Sequence, residues 1–165
     1  MTASSPSPSA ASLAADGHQR LTQLYGVKSA ALWAGKHAKA ILIFPRIYKG
    51  ALMIGAQTGD GVLFEHGKPT AYYNISAASF GLQAGGQAFS YALFFMKDSA
   101  LAYLKKSDGW AIGSGPSIVV IDKGMANSTT TTTLTQDVIA FPFGASGLMA
   151  GLNLEGSKIT PIHPH

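Results

Sequence analysis

Residues 40–61, AILIFPRIYKGALMIGAQTGDG, decide how the rest of the chain is read. Residues 41–44 form a β-branched and aromatic apolar run, and Pro45 holds Phe44 in extended geometry. The run reads as a strand arrested at a corner that carries Arg46 and Lys49 ahead of Gly50. Residues 51–57 then set Leu52, Ile54 and Ala56 against Ala51, Met53 and Gly55, the alternation of a second strand. Asp60-Gly61 supplies the strongest hairpin signal in the sequence.

Downstream, residues 62–65 read as the returning strand, turning through residues 66–69 into another strand over 71–75. Residues 78–96 are apolar on both alternating faces, with Gly85-Gly86 in the middle, and read as two buried strand segments joined at a glycine bend or bulge. Asp98 reads as the cap of a short helix with Leu101 and Leu104 on one side and Lys105-Lys106 in its last turn. Residues 109–112 and 117–122 read as a hairpin around Gly113–Pro116. The tract 127–133, NSTTTTT, reads as a flexible loop, and residues 138–143 and 148–154 as two closing strands.

Upstream, residues 1–12 hold Ser, Pro and Ala with little to bury and are expected to be a disordered leader, so that residues 13–165 form a single domain. Asp16 reads as the N-cap of a helix carrying Leu21, Leu24 and Tyr25. A second helix spans about residues 27–38. At 100° per residue Lys28, Lys36 and Lys39 share one arc, while Ala30, Trp33, Ala34 and His37 lie opposite. Trp33 is therefore expected in the core.

Composition narrows the function classes. The 165 residues suit one domain with a sizeable core, at 47% hydrophobic and 12% charged residues. The longest nearly apolar run, 88–96, is shorter than the ~20 residues of a membrane-crossing helix. There is no cysteine, hence no disulfide or thiolate metal site. The beginning of the sequence lacks a secretory signal and resembles a trimmed mature protein. No HExxH, GxSxG, Walker A or dinucleotide fingerprint occurs, the five histidines are scattered, and the acids sit at turns and caps. A non-enzyme without metal or cofactor is expected. Tyr72 and Tyr73 fall on opposite faces of one strand, so a nucleic-acid stacking platform is not expected either.

Charge is unevenly distributed. Arg20, Lys28, Lys36, Lys39, Arg46 and Lys49 face Asp16 alone in residues 1–58, whereas six lysines and seven acids nearly balance in residues 59–165. The basic N-terminal third fits either an anionic partner or a solvated helix face.

Read together, AKAILIFPRIYKGALMIGAQTGDGVLF, AYYNISAASFGLQAGGQ and ALFFMKDSALAYLKKSDGW resemble the SYLF domain. The likeness is to its bacterial branch of exported proteins, many of them lipoproteins, and extends through GLMAGLNLEGSKITPI to cover about residues 21–162. The segment after the first strand pair is less glycine-rich than in many relatives, and no SH3 or FYVE-type domain is attached, so actin-related function gains no support. The resemblance implies binding of acidic phospholipid, with phosphoinositide-like headgroups, by a module tethered in the cell envelope through a lipidated cysteine upstream.

The expected fold is α+β: an antiparallel, strongly curved sheet, sandwich or partial barrel, with two N-terminal helices and one mid-chain helix. The expected headgroup-binding residues are Lys28, Lys36, Lys39, Arg46 and Lys49. The alternative is a structural or interaction domain of the envelope that binds a protein partner.

Overall fold

Strand β1, Ala40–Lys49, sends alternate side chains to opposite sides. Leu42 and Phe44 join one buried cluster and Ile43 joins another. A strand buried on both faces requires a layer over each. The computed structural model describes residues 9–49, 57–77, 89–121, 135–144, 147–148 and 156–164. Over the Ile43 face lie α1, Ala10–Val27, and α2, Ser29–His37, which contribute Leu13, Leu21, Leu24, Ala31 and Ala34. Over the Leu42 face lie α3, Asp98–Lys106, contributing Ala100 and Leu104, and the indole of Trp110.

The other strands are β2 Gln57–Glu65, β3 Lys68–Ala77, β4 Phe89–Phe95, β5 Trp110–Ala111, β6 Ile118–Val120, β7 Val138–Gly144, β8 Gly147–Leu148 and β9 Ser157–Ile162. They form one sheet in the order β5-β9-β3-β2-β1-β4-β7-β6, with β8 paired to β7. Every residue of β4 is buried, because β1 and β7 flank it and both faces are covered. That explains its nearly apolar run, FSYALFF, in which only Ser90 carries an aliphatic hydroxyl. The expected α+β fold with a strongly curved sheet is found, as a half-barrel. The sheet is mixed rather than antiparallel: β6 runs parallel to β7, with Ile118 opposite Val138.

Chain length forces the curvature. β5 and β6 occupy the two ends of the eight-strand order, yet only seven Cα steps separate Ala111 from Ile118. Seven extended steps reach about 25 Å, while seven inter-strand spacings in a flat sheet span about 33 Å. The connection is also folded back on itself, since the Ser114 N–H donates to the Ala111 carbonyl. The sheet must curl to bring its ends within reach. The expected hairpin over residues 109–122 is thus incorrect: its two halves pair with β9 and β7 on opposite edges. Strand β9, which alternation did not reveal, lies between β5 and β3.

The decisive stretch also differs from its reading. Pro45 does not end β1; the strand continues to Lys49 through a bulge, where register shifts between Phe44 and Ile47. The buried Ser90 hydroxyl donates to the Pro45 carbonyl at 2.8 Å and holds the bulge to β4. Asp60-Gly61 is not a turn but the middle of β2. A Cβ on Gly59 would stand 2.7 Å from the Arg46 carbonyl oxygen, and one on Gly61 2.7 Å from that of Ile43. The bulged β1 backbone leans on β2 here, and glycine leaves room for it. The hairpin proper is β2–β3, where His66 and Gly67 both have positive φ, 54° and 78°, as a two-residue type I′ turn requires.

Helix α1 begins at Ala10, so residues 10–12, assigned by composition to the leader, are helical. Its N-cap is Ser9, whose Oγ accepts from the Ser12 N–H at 3.2 Å, not Asp16. In α3, Lys97 holds the N-cap position without a side-chain bond, and Asp98 sits in the first turn where the helix dipole favours it. The strand expected from residue 51, the glycine bend within 78–88, the tract 127–133 and most of the strand expected over 148–154 lie outside the described residues.

Candidate functional site

Helix α2 meets α1 through small residues. Ala31 and Ala34 are fully buried, and a Cβ on Gly35 would overlap the Tyr25 hydroxyl. Burial pushes that phenol up to about 12. So close a contact leaves no room for an indole. Trp33, expected in the core, is turned outward and is 39% exposed, beside Leu32 at 40% and Val27 at 52%. The buried arc of α2 is made of alanines, and its bulky apolar residues face solvent. Trp33 stacks on His37 with ring centroids 4.3 Å apart, and His37 Nδ1 lies 2.8 Å from the Trp33 carbonyl oxygen. Sequence reasoning missed Leu32 and Val27 altogether; the run of small residues at 30, 31, 34 and 35 was the available signal.

The five expected basic residues separate into two groups. Lys28 is half-buried at the α1–α2 junction, its N–H donating to the Leu24 carbonyl and its carbonyl accepting from Ala31. Lys36 is exposed and, at about 100° per residue, lies between Leu32 and Trp33 on the outward arc of α2. Lys39 is exposed beyond the helix, and its N–H donates to the Phe95 carbonyl at 2.7 Å. Arg46 is exposed at the bulge, about 20 Å further along β1 at strand rise. Lys49 ends β1 opposite Gln57. Lys28, Lys36 and Lys39 thus lie at or next to α2, which exposes Leu32 and Trp33, and Arg46 and Lys49 lie further along β1.

Several polar groups elsewhere are engaged in holding the fold. Burial pushes the Glu65 carboxyl up, but bonds from Lys105 at 2.8 Å and Thr70 at 2.6 Å, with the Lys105 charge, hold it below its ordinary value. This pair ties α3 to the β2–β3 hairpin. Asp137 accepts the Ser117 N–H at 2.9 Å and pairs with Lys97 at 3.1 Å, and both hold its carboxyl low. Asn74 donates to Thr58, Gly59 and Asp60 across β2. Among the described residues no three His, Asp or Glu side chains group so as to hold a metal ion, and no helix is long and apolar enough to cross a membrane.

The described residues thus form a sheet with helices over both faces and a helical corner that exposes apolar side chains. Comparison with protein families places the sequence more closely. Residues 76–163 match the family described as Ysc84, Las17-binding protein actin regulator, that is, the SYLF domain family. The match spans more than half of the chain, and the chain belongs to this family of binding domains. It begins near the end of β3 and runs through β9, so the five basic residues and the Trp33 edge precede it. No curated protein matches the chain.

Proposed function

We propose that this protein is a non-enzymatic module that binds acidic phospholipid at a membrane surface. The observation that carries the reading is the α1–α2 corner, which exposes Val27, Leu32 and Trp33 in the same short stretch of chain as Lys28, Lys36 and Lys39. No Asp or Glu occurs from Gly17 to Gly59, so that stretch of sequence carries a net positive charge. Amphipathic tryptophan suits the boundary between headgroups and acyl chains, and each lysine near an anionic surface contributes about 1 kcal/mol, reduced by salt. Phosphoinositide-like headgroups, being multiply charged, belong to the ligand class. In this reading the module is exported and held at the cell envelope by a lipid anchor.

Co-sedimentation with neutral and anionic vesicles across a salt series tests the proposal. The expected result is binding that requires anionic lipid, fades with salt, and weakens in K36E and in W33A. Unchanged binding in both variants, with the fold intact by circular dichroism, would sink it. The family's description as Las17-binding favours a second reading, a protein partner at the same corner. Absence of vesicle binding together with a partner whose capture depends on Trp33 would establish that reading instead.

A further inference from the structure

We propose that the site recognises the density of negative charge on a membrane, not the stereochemistry of any one headgroup. This rests on the lipid-binding reading above. A headgroup-specific site needs several donors converging on one phosphate cluster, each within about 3 Å of its oxygens. The backbone spreads the expected cations from the start of α2 to the end of β1. Leu32 and Lys36 stand one turn apart on α2, while Lys28 precedes the helix as its half-buried N-cap residue, with extended backbone. Trp33 flanks Lys36 on its other side, at about 100° per residue. Arg46 lies about 20 Å from Lys39 along β1, beyond what a single headgroup spans.

The arrangement has apolar side chains set among separated cations. A bilayer accommodates it by presenting a different lipid to each lysine while the aromatic and aliphatic side chains settle between headgroups. A phosphoinositide is then bound for its charge, as one of several acidic lipids that suffice. Binding through several lipids at once rises steeply with their mole fraction, and a soluble headgroup, which offers only one contact at a time, competes poorly.

The test uses the full chain and vesicles of phosphatidylserine, phosphatidylglycerol or phosphatidylinositol bisphosphate in phosphatidylcholine, matched in zeta potential. The expected result is affinities agreeing within about threefold, since the surface potential is the shared determinant. Soluble inositol trisphosphate should leave the protein on the vesicles. K36E and K39Q should each lower affinity for all three compositions by a common factor, their folds checked by circular dichroism. A preference above about tenfold, or roughly 1.4 kcal/mol, at matched potential overturns the inference but not lipid binding. So does displacement by the soluble headgroup, or a variant that loses one lipid selectively. Absence of binding to every anionic vesicle at low salt overturns both.

Discussion

The tightest packing against backbone is at single glycines of β2. At Gly61 a methyl group would meet the Ile43 carbonyl oxygen at 2.7 Å and the Phe44 ring at 2.5 Å, and main chain cannot swing aside as a flexible side chain can. Gly61→Ala is therefore expected to destabilise by about 1–3 kcal/mol, the usual range for overpacking. Gly26 provides the opposite case. It lies within α1, and a methyl group there would have nothing inside 4 Å, so Gly26→Ala should stabilise by about 0.5–1 kcal/mol. Urea unfolding of both variants checks the pair, and a neutral Gly61→Ala would mean that β1 does not lean on β2. The sequence made Gly59-Asp60-Gly61 conspicuous without saying why. A turn and a close approach both demand glycine, and the choice rests on a bulge sixteen residues upstream that local pattern does not contain.

Among elements, those defined by their own periodicity were legible and those defined by partners were not. The α2 and α3 boundaries follow closely from their sequences, and β4 from its apolar run. The orientation of α2 did not, because hydrophobicity alone favours burial of Trp33, whereas the alanine face fits α1 more closely. Strands β5 and β6 are two and three residues long and are specified by β9 and β7. What fastens β6 can be tested through pH. Asp137 and Ser117 bond reciprocally, N–H to Oδ2 and N–H to Oγ, and Lys97 adds its charge. The folded carboxyl titrates below its ordinary 3.8, so its stabilisation is complete above that value and is lost as pH falls through the lower folded one. Glu65, held below 4.5 by Lys105 and Thr70 against the opposing effect of burial, acts in the same direction. Thermal stability should fall as pH drops below about 4. Asp137→Asn should flatten that dependence, while its effect at neutral pH stays within the roughly 0.2–1 kcal/mol of an exposed ion pair. An unchanged pH profile in the variant would remove Asp137 from the account.

At the scale of the molecule, the last strand in sequence is built into the sheet one place in from its edge. β9 is contributed last, yet it separates β5 from β3, and Ile159 lies opposite both Trp110 and Ile75. Its side chain is buried in the cluster that α3 covers. Ile159→Ala should cost about 2–5 kcal/mol, a core truncation, and the loss should be felt throughout the sheet. The two tryptophans make this measurable. Trp110 sits on the edge strand that β9 secures, while Trp33 lies on the helical corner over the opposite face of the sheet. Because β1 and β2 carry α1 on one face and share the other core with β9 through β3, the parts should unfold together. In Trp33→Phe, leaving Trp110 as the sole indole, the fluorescence transition in urea should coincide with that of far-ultraviolet circular dichroism. Adding Ile159→Ala should shift both midpoints down equally. If fluorescence moved alone, β5 and β9 would be a separable flap on the half-barrel, and closure of the sheet would contribute nothing to the stability of the helical corner.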